Sequence, residues 1–328
     1  MIRFFVLSLA VLATVQAAEP PSAQIDNGKV RAKLYLPDAK DGYYRGTRFD
    51  WSGVVASLEA AGHSYFGVWF AKYDPKLHDA ITGPVEEFFS PSGALGYKDA
   101  AVGSTFIRIG VGTLRKPQEA AFQRFFTYDI VDPGKWKTSV KKDSVTFAHV
   151  LRDSSSGYAY RYLKTVRLVP GKAEMVIEHS LKNTGKKRIE TDVYNHNFMV
   201  MDGQPIGPDF TVGFNFAPKT PRALAEPGRI QGNELSYARP IGDRETVMSE
   251  VTGFDPAKAS DHEFRVVNRK TGAAVRITGD KPLSKILYWS IKTVLSPEDY
   301  ISLSIDPGRE ENWTSRYEFS SVKAVSQD

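Results

Sequence analysis

The fold is decided by the stretch YAYRYLKTVRLVPGKAEMVIEHSLKNTGKKRIETDVYNHNFMV, residues 158–200. It contains three runs of alternating apolar and polar residues, at 158–169, 173–184 and 188–200, which are separated by turn sequences containing Gly and Lys. An alternation with a period of two is typical of strands that bury one face, and short turns join antiparallel neighbours. The stretch therefore predicts three consecutive antiparallel strands of a large sheet.

Strand patterns continue on both sides of this stretch. Further strands are predicted at 29–37, 105–115, 144–152, 263–278, 285–292 and 300–305. Helical patterns are scarce: KPQEAAFQRFF (116–126) is the best short candidate, and SPED (296–299) reads as a turn. Because no strand–helix–strand units are present, the predicted fold class is all-β, a large antiparallel β-sandwich of two sheets.

Composition narrows the classes of function. The chain has 328 residues, of which 41% are hydrophobic and 25% charged, as in a globular protein with a large core. Its 43 basic and 38 acidic residues are interspersed, so we predict no nucleic-acid partner. The chain has no cysteine, which excludes thiol nucleophiles and zinc–thiolate sites.

The N-terminus resembles a secretory signal peptide. Arg3 precedes an apolar run at 4–15 that is too short to span a bilayer, and small residues at 15 and 17 suit a signal peptidase site. We therefore predict a signal peptide at 1–18 and a single domain at 19–328. The mature protein is expected to be exported, periplasmic or secreted, with no membrane attachment after cleavage.

Six histidines are candidates for proton transfer, because imidazole titrates near neutral pH. His149 and His179 lie inside alternating strands and are predicted to be strand residues at the surface or in the core, without a catalytic role. His78, His196 and His262 lie in loops or at strand ends beside polar residues, where sites tend to be built. His196 stands between two asparagines and is predicted to be a site residue.

Four segments together share the pattern of a known family. DVYNHNFMVMDG (192–203) contains Asn-His-x-x-Phe, and SIDPGREENWTSRYEF (304–319) contains a Pro-Gly turn, glutamates and a Thr-x-aromatic run. LHDAITG (77–83) contains Leu-His-x-x-x-x-Gly, and SDHEFRVVNRKTGAAVRI (260–277) contains Asp-His-x-Phe. In this order they resemble the aldose 1-epimerases, the galactose mutarotase family. The resemblance implies a galactose mutarotase-like supersandwich.

The resemblance also implies a chemistry. To interconvert sugar anomers, a base removes the proton of the anomeric hydroxyl while an acid protonates the ring oxygen. His196 corresponds to the family's acid, His78 to its second active-site histidine, and Asp261 to a carboxylate that binds sugar hydroxyls. Asn195, inside the signature, is a predicted substrate contact.

The chain departs from the family at the catalytic base. The family has a glutamate directly after the Pro-Gly turn, where this chain has Arg309, followed by Glu310 and Glu311. A shift of one residue turns a side chain to the other face of a strand, so Glu310 needs a bulge or a changed turn to reach the site. Glu310 is the preferred base, whereas Glu311, or no base here at all, are the alternatives. Arg309 is a predicted substrate contact.

Two further segments carry candidate substrate contacts. In YYRGTRFDWSG (43–53), Arg48, Asp50 and Trp51 are candidate site residues, because arginine can bind sugar hydroxyls or anionic groups and an aromatic ring can stack on a sugar. In GPVEEFFSPSG (83–93), one of Glu86 and Glu87 is expected to face the cleft and the other to be solvated, and Glu86 is taken as the contact. The spacing of these glutamates and His78 does not support a catalytic metal, although a structural Ca²⁺ stays open.

The predicted function is an exported aldose 1-epimerase-like enzyme that acts on a monosaccharide or oligosaccharide, without a cofactor, as a monomer or weak dimer. A non-catalytic carbohydrate-binding protein on the same fold is the main alternative, and Arg309 at the expected glutamate position favours it. A different carbohydrate-active enzyme and a phosphosugar epimerase are further alternatives, although export argues against the last. The discriminating feature is whether Glu310 or Glu311 points into the cleft that holds His78 and His196.

Overall fold

A computed structural model of the chain describes residues 19–324, so the predicted signal peptide at 1–18 lies outside the described residues. The regular secondary structure of the described part consists almost wholly of strands. In chain order these are β1 (Ser22–Asp26), β2 (Val30–Tyr35), β3 (Val54–Ala60), β4 (His63–Phe66), β5 (Val85–Phe89), β6 (Thr105–Arg108), β7 (Gly112–Arg115), β8 (Ile130–Asp132), β9 (Lys135–Val140), β10 (Ser144–Arg152), β11 (Ala159–Leu168), β12 (Glu174–Asn183), β13 (Ile189–His196), β14 (Phe210–Phe214), β15 (Gly228–Gln231), β16 (Glu234–Tyr237), β17 (Val247–Val251), β18 (Glu263–Asn268), β19 (Ala273–Gly279), β20 (Lys285–Ile291), β21 (Val294–Ile305) and β22 (Glu310–Ser321).

Helical structure within residues 19–324 is limited to two 3₁₀ turns, Met201–Gly203 and Ala259–Asp261. None of the helices in this part of the chain has the length and apolar character needed to cross a membrane.

The strands form two large layers in which all pairings are antiparallel. One layer is a ten-stranded sheet in the order β15-β16-β14-β18-β19-β22-β12-β11-β10-β9. The other joins a five-stranded sheet, β17-β20-β21-β13-β5, to a four-stranded sheet, β1-β2-β3-β4, through bridges at Met199. A small sheet, β6-β7-β8, completes the structure. The prediction of a large antiparallel β-sandwich is confirmed.

The main core lies between the layers. Apolar side chains from the four-stranded sheet, such as Leu34 and Leu58, pack with side chains from the ten-stranded sheet, such as Val145, Val166 and Ile177. Each such residue is fully removed from solvent and contributes about 1.5–3 kcal/mol of burial free energy. The inward side chains of the alternating strands therefore stabilise the two layers, and the strands of these layers hold the residues of the surface cleft in place.

The five-stranded sheet positions the functional residues. Tyr194 on β13 pairs with Glu87 on β5 and with Tyr300 on β21. Because side chains alternate between the two faces of a strand, these three side chains share one face, and the adjoining residues share the other. The sheet thus presents polar groups on both faces, one toward the surface cleft described below and one toward the protein interior.

Most of the predicted strands are confirmed, with three differences. The predicted strands at 105–115 and 263–278 are each a hairpin of two strands, because Gly110 at the first turn and a Thr-Gly at the second bring the chain back on itself. The candidate helix at 116–126 is wrong, since this segment is a non-helical connection between β7 and β8. The turn at 296–299 is also wrong, because these residues continue β21.

Candidate functional site

A cleft of about 230 Å³ lies at one end of the five-stranded sheet. Strands β13, β17, β20 and β21 contribute to its floor, and the connections β2–β3, β4–β5 and β7–β8 contribute to its walls. Its lining combines aromatic and ionisable side chains: Arg48, Trp69, His78, Asp79, Arg124, Phe125, His196, Phe198, Met248, Leu287, Trp289 and Glu298. Aromatic walls around a few converging polar groups are typical of sites for small polar molecules.

His196 lies on the floor of the cleft, at the last residue of β13. Its Nε2 is 3.1 Å from Oε1 of Glu298. Its Nδ1 is buried and has no hydrogen-bond partner. The ring stacks on Phe198, with the ring centroids 3.6 Å apart and the planes 8° from parallel. Packing therefore fixes the imidazole with Nε2 directed at the Glu298 carboxylate.

Glu298 is the carboxylate of the cleft. It belongs to β21, and its second oxygen, Oε2, accepts a hydrogen bond of 3.0 Å from the Tyr300 hydroxyl. Only 2% of the residue is exposed to solvent. Burial disfavours the charged form and raises the pKa of Glu298 from 4.5 to about 7. A carboxyl group with this pKa can donate or accept a proton at neutral pH.

The environment keeps His196 neutral. Burial lowers the pKa of His196 well below 6.5, and the positive charges of Arg48 and Arg124 lower it further. Between the two pKa values the His196–Glu298 pair therefore holds one titratable proton, on Glu298. An imidazole acceptor beside a carboxylic acid is a combination that can move a proton in both directions.

Aromatic rings shape the cleft around this pair. Trp69 stacks on Phe198 with ring centroids 5.0 Å apart, and Trp289 meets His196 edge-on at 5.5 Å. Phe198 adopts φ of 40°, a left-handed conformation that costs a non-glycine residue about 1–3 kcal/mol. This conformation brings the Phe198 ring under His196, so packing around the site offsets local backbone strain.

A cluster of arginines lies beside the acid–base pair. Glu87 is fully buried and contacts Arg48 (Nε–Oε2, 2.9 Å) and Arg108 (Nη2–Oε1, 3.0 Å). Arg124 adds a third guanidinium at 2.8 Å, and the Tyr194 hydroxyl donates to the same carboxylate at 2.6 Å. Although burial opposes ionisation, the three arginines hold the pKa of Glu87 well below its usual range. Arg48 and Arg124 also face the cleft.

His78 lies on the wall of the cleft, half-buried against Phe125, with ring centroids 4.9 Å apart. Its Nδ1 is 3.9 Å from Asp79 and makes no hydrogen bond. Burial lowers the pKa of His78, which leaves a neutral ring at the edge of the site. The structure therefore brings together three residues singled out from the sequence, His196, His78 and Arg48.

Comparison with known proteins identifies the fold. No family model and no curated protein sequence matches the chain. Among solved structures, the Slr1438 protein of Synechocystis is similar over 97% of this chain and 100% of its own, with 12% identity and a TM-score of 0.57. A galactose mutarotase-like protein of Clostridium acetobutylicum is similar over 91% and 95%, with 11% identity and a TM-score of 0.54. A galactose mutarotase related enzyme of Lactobacillus acidophilus is similar over 93% and 100%, with 12% identity and a TM-score of 0.53. The chain has the galactose mutarotase-like fold. The fold that the sequence resemblance implied is confirmed.

Within this galactose mutarotase-like fold, two predicted contacts lie on the interior face of the sheet instead of in the cleft. Glu86 is fully buried and contacts Lys164 and His179, while Asn195 donates from Nδ2 to the Ser315 hydroxyl at 3.1 Å. Glu86 directly precedes Glu87, and Asn195 directly precedes His196. Glu87 and His196 are on the cleft side of the sheet. The period of two along a strand places Glu86 and Asn195 on the opposite side.

Two more predicted contacts are structural. Trp51 is 2% exposed, packs in the apolar cluster behind the cleft, and donates from Nε1 to the Gly46 carbonyl. Asp261 ends a 3₁₀ turn and accepts a hydrogen bond from the backbone N–H of Asp255 at 2.8 Å. Its neighbour His262 is instead buried, 2.7 Å from Asp299. Neither Trp51 nor Asp261 lines the cleft.

The expected base positions are also outside the cleft. Arg309 is exposed in the turn before β22, and Glu310 is exposed and accepts a hydrogen bond from Ser180. Glu311 forms a 3.0 Å ion pair with Lys281. No bulge turns Glu310 inward, because β22 pairs with β12 in regular register from Glu310 onward. The prediction that Glu310 or Glu311 faces His196 is wrong.

Glu298 and Arg124 line the cleft but are not predictable from the sequence pattern. Glu298 lies in the run SPED, whose composition is typical of a turn, so the sequence gives no indication of a buried strand there. Arg124 lies in the segment interpreted as a helix, where its neighbours gave no sign of a site. The hypothetical metal group of His78, Glu86 and Glu87 is not assembled, because the two glutamates occupy opposite faces of the sheet and are each paired with cationic side chains.

A larger concavity of about 460 Å³ lies beside β2 and β3, lined by residues 26, 28–31 and 59–64. Its one histidine, His63, is held by Asp202 at 2.9 Å and by Ser321 at 3.1 Å. Turn residues and solvated charges make up most of the remainder. The cleft at His196 is therefore the better candidate site, since it alone of the two contains a buried acid–base pair, His196 and Glu298.

Proposed function

We propose that the protein interconverts the anomers of a sugar by acid–base opening of the sugar ring, with His196 and Glu298 as the proton-transferring pair. The observation that carries the proposal is the 3.1 Å separation of Nε2 and Oε1 on the floor of a small aromatic cleft. The similar structures named as galactose mutarotase-like support it at the level of the fold.

The reaction needs one proton on the pair. His196 accepts the proton of the anomeric hydroxyl while Glu298 donates its proton to the ring oxygen, and the bond between C1 and that oxygen breaks. The open aldehyde rotates about the C1–C2 bond. His196 then returns its proton to the aldehyde oxygen while Glu298 takes the proton of the attacking hydroxyl, so the ring closes on the other face. Each residue ends in its starting state, and neither a cofactor nor a net proton is consumed.

This assignment changes the roles implied by the family resemblance. That resemblance made His196 the acid, which requires an imidazolium ion. Because burial holds the pKa of His196 well below 6.5, the neutral ring is better suited to be the acceptor. Glu298, with a pKa of about 7, is better suited to be the donor.

The cleft walls suit a sugar. Trp69, Phe125 and Trp289 present aromatic faces or edges, on which the C–H surface of a pyranose can pack. Arg48 and His78 offer hydrogen-bonding groups for ring hydroxyls. We also propose that the protein acts outside the cytoplasm, which is supported by the signal-like sequence at 1–18.

A non-catalytic sugar-binding protein is the second candidate, and burial favours it: His196 is 4% exposed and Glu298 is 2% exposed. The test is anomer exchange, followed by NMR on the mature protein with glucose, galactose, fucose, rhamnose and uronic acids against buffer alone. Exchange above the spontaneous rate supports the enzyme. Binding without exchange across the panel supports the second candidate.

A further inference from the structure

The charges around the cleft are unbalanced. Three guanidinium groups surround the single carboxylate of Glu87, and all four side chains are removed from solvent to a large extent. One carboxylate neutralises one of the three positive charges. Buried charges are normally paired, because desolvation of an unpaired ion is costly. Two positive charges beside the cleft therefore lack a matching negative charge from Glu87.

Two of these arginines have donors that remain free for a ligand. Arg108 is 2% exposed, and its two Nη atoms donate to the backbone carbonyls of Gly93 and Arg48 and to Glu87. Arg48 and Arg124 line the cleft and bond to Glu87 and to the Tyr194 hydroxyl through Nε and Nη2. Within residues 19–324 the Nη1 atoms of Arg48 and Arg124 make no hydrogen bond.

The other acidic groups of the cleft do not balance this charge. Asp79 lies at the rim, with 36% of its side chain exposed, and is directed to His78. Glu298 shares the proton of the acid–base pair, so it carries at most part of a charge at neutral pH. Arg48 is 8% exposed, and its unpaired Nη1 is not among the buried side-chain atoms, so this donor is accessible to a ligand.

We propose that the substrate carries an anionic group, a carboxylate or a phosphate, which Arg48 and Arg124 bind while the anomeric centre lies against His196 and Glu298. The proposal rests on the proposed function and narrows its substrate to acidic sugars. Guanidinium groups suit this task because they stay charged and bind planar or tetrahedral oxyanions through paired N–H donors. Glu87 and Tyr194 hold the two arginines in place through their remaining donors.

The test compares matched sugars that differ in charge. Anomer exchange is measured for glucuronate against glucose, galacturonate against galactose, and glucose 6-phosphate as a third arm. We expect kcat/KM to be at least tenfold higher for one acidic sugar than for its neutral partner. The arm that responds distinguishes a carboxylate from a phosphate. For the acidic sugar we also expect KM to rise with added NaCl, since salt screens charge.

Substitutions of Arg124 test whether the preference for acidic sugars arises at this residue. Arg124→Gln removes one charge and leaves Glu87 with two arginines, and its loop position, with 28% of the side chain exposed, makes a folded variant attainable. We expect kcat/KM to fall about 10- to 100-fold more for the acidic sugar than for the neutral sugar. Some loss is expected for the neutral sugar too, because the charge of Arg124 lowers the pKa of His196. Arg124→Lys should recover part of the loss. Arg316→Gln, which removes an arginine paired with Glu174 away from the cleft, should change neither.

Failure of this proposal is separable from failure of the proposed function. Faster exchange of neutral sugars, or an equal effect of Arg124→Gln on both classes, would overturn the anion site and leave the epimerase intact. If no sugar is exchanged, binding of glucuronate and glucose is measured by NMR line broadening. Selective glucuronate binding that is lost in Arg124→Gln upholds the anion site without the enzyme, and its absence overturns the site. If Arg124→Gln does not fold, the salt dependence of the unaltered protein decides.

Discussion

Replacing Glu298 by glutamine should lower the rate of anomer exchange and, above neutral pH, raise the stability of the protein. The substitution thus lowers activity but raises stability. Both effects arise from the burial of Glu298, which raises the pKa of its carboxyl group. Glutamine keeps the size of the side chain and an oxygen that can accept the 3.0 Å hydrogen bond from Tyr300. What it removes is the proton that Glu298 exchanges.

The kinetic effect follows from the role of the carboxyl group. A positioned general acid or base contributes about 10²–10⁴-fold to a rate, which corresponds to roughly 3–5 kcal/mol of transition-state stabilisation. We therefore expect Glu298→Gln to lower kcat by about two to four orders of magnitude. KM should change less, because the shape of the cleft is kept.

The stability effect follows from linkage. The pKa of Glu298 is about 7 in the folded protein against an ordinary 4.5, so the folded state binds more protons between these values. The stability that this proton uptake supplies is complete below pH 4.5 and is lost as the pH rises through about 7. At 1.4 kcal/mol per unit, ionised Glu298 costs roughly 3 kcal/mol of folding free energy above pH 7. Glutamine, which does not ionise, avoids this cost.

The assay pairs exchange NMR with urea unfolding at pH 5 and pH 8.5. Glu298→Gln should unfold at higher urea than the unaltered protein at pH 8.5 and at a similar concentration at pH 5, with an unchanged slope. Glu310→Gln is the matched control, because it makes the same chemical change at an exposed position and should alter neither quantity. Full activity in Glu298→Gln would refute the reasoning, and so would a loss of activity in Glu310→Gln.

Three further predictions use the same assays. His196→Ala should lower exchange by about 10²–10⁴-fold while circular dichroism shows an intact fold, and retention of full activity would remove His196 from the mechanism. The value of kcat/KM should fall as the pH rises through about 7, because Glu298 then loses the shared proton. In Glu298→Gln this decrease above pH 7 should be absent. A kcat/KM that does not change between pH 6 and 8 in the unaltered protein would contradict the shared-proton scheme. Lys164→Met should lower the free energy of unfolding, measured in urea, by about 3–5 kcal/mol, because it leaves Glu86 and Asp50 buried without a cation. The control is Lys33→Met, which removes the partly exposed partner of Glu19 and should cost less than about 1 kcal/mol.

The sequence predicts the strands best where one face is buried. The predicted ranges 144–152, 158–169 and 173–184 agree with β10, β11 and β12 within one residue at each end. Along β10, most of β11 and the second half of β12, buried residues alternate with more exposed ones, whereas the first four residues of β12 are all buried. The alternation is visible in the sequence because the physical cause, burial of one face between two layers, acts on every second residue.

The prediction failed at β21 for a physical reason. Residues 294–300 are all buried, so the strand lacks alternation, and Pro297 is a residue normally excluded from strand interiors. Pro297 is tolerated because β13 ends at His196, so this part of β21 has lost its regular partner on one side, and the Asn197 side chain bonds the Pro297 carbonyl at 2.6 Å. The sequence around Glu298 therefore predicts a turn, although the residue lies in a buried strand.

The candidate site was predictable only in part for a related reason. Glu86 and Glu87 are adjacent, and the sequence indicated that one faces the cleft and the other is solvated. Both are in fact fully buried, with Glu87 on the cleft side and Glu86 in the interior. Which of two neighbouring residues faces a site depends on strand register, and register depends on contacts between distant parts of the chain.

That register is itself held by the interior face. There Lys164 and His179 contact Glu86, and His262 contacts Asp299 at 2.7 Å. A shift of β5 or β21 by one residue would turn these carboxylates away from their partners and bring the cleft carboxylates inward, at a cost of several kcal/mol for each unpaired charge. The interior ion pairs therefore fix the strands in the one register that places Glu87 among the arginines and Glu298 beside His196. Residues that touch no substrate thus hold the 3.1 Å contact on which the proposed chemistry depends.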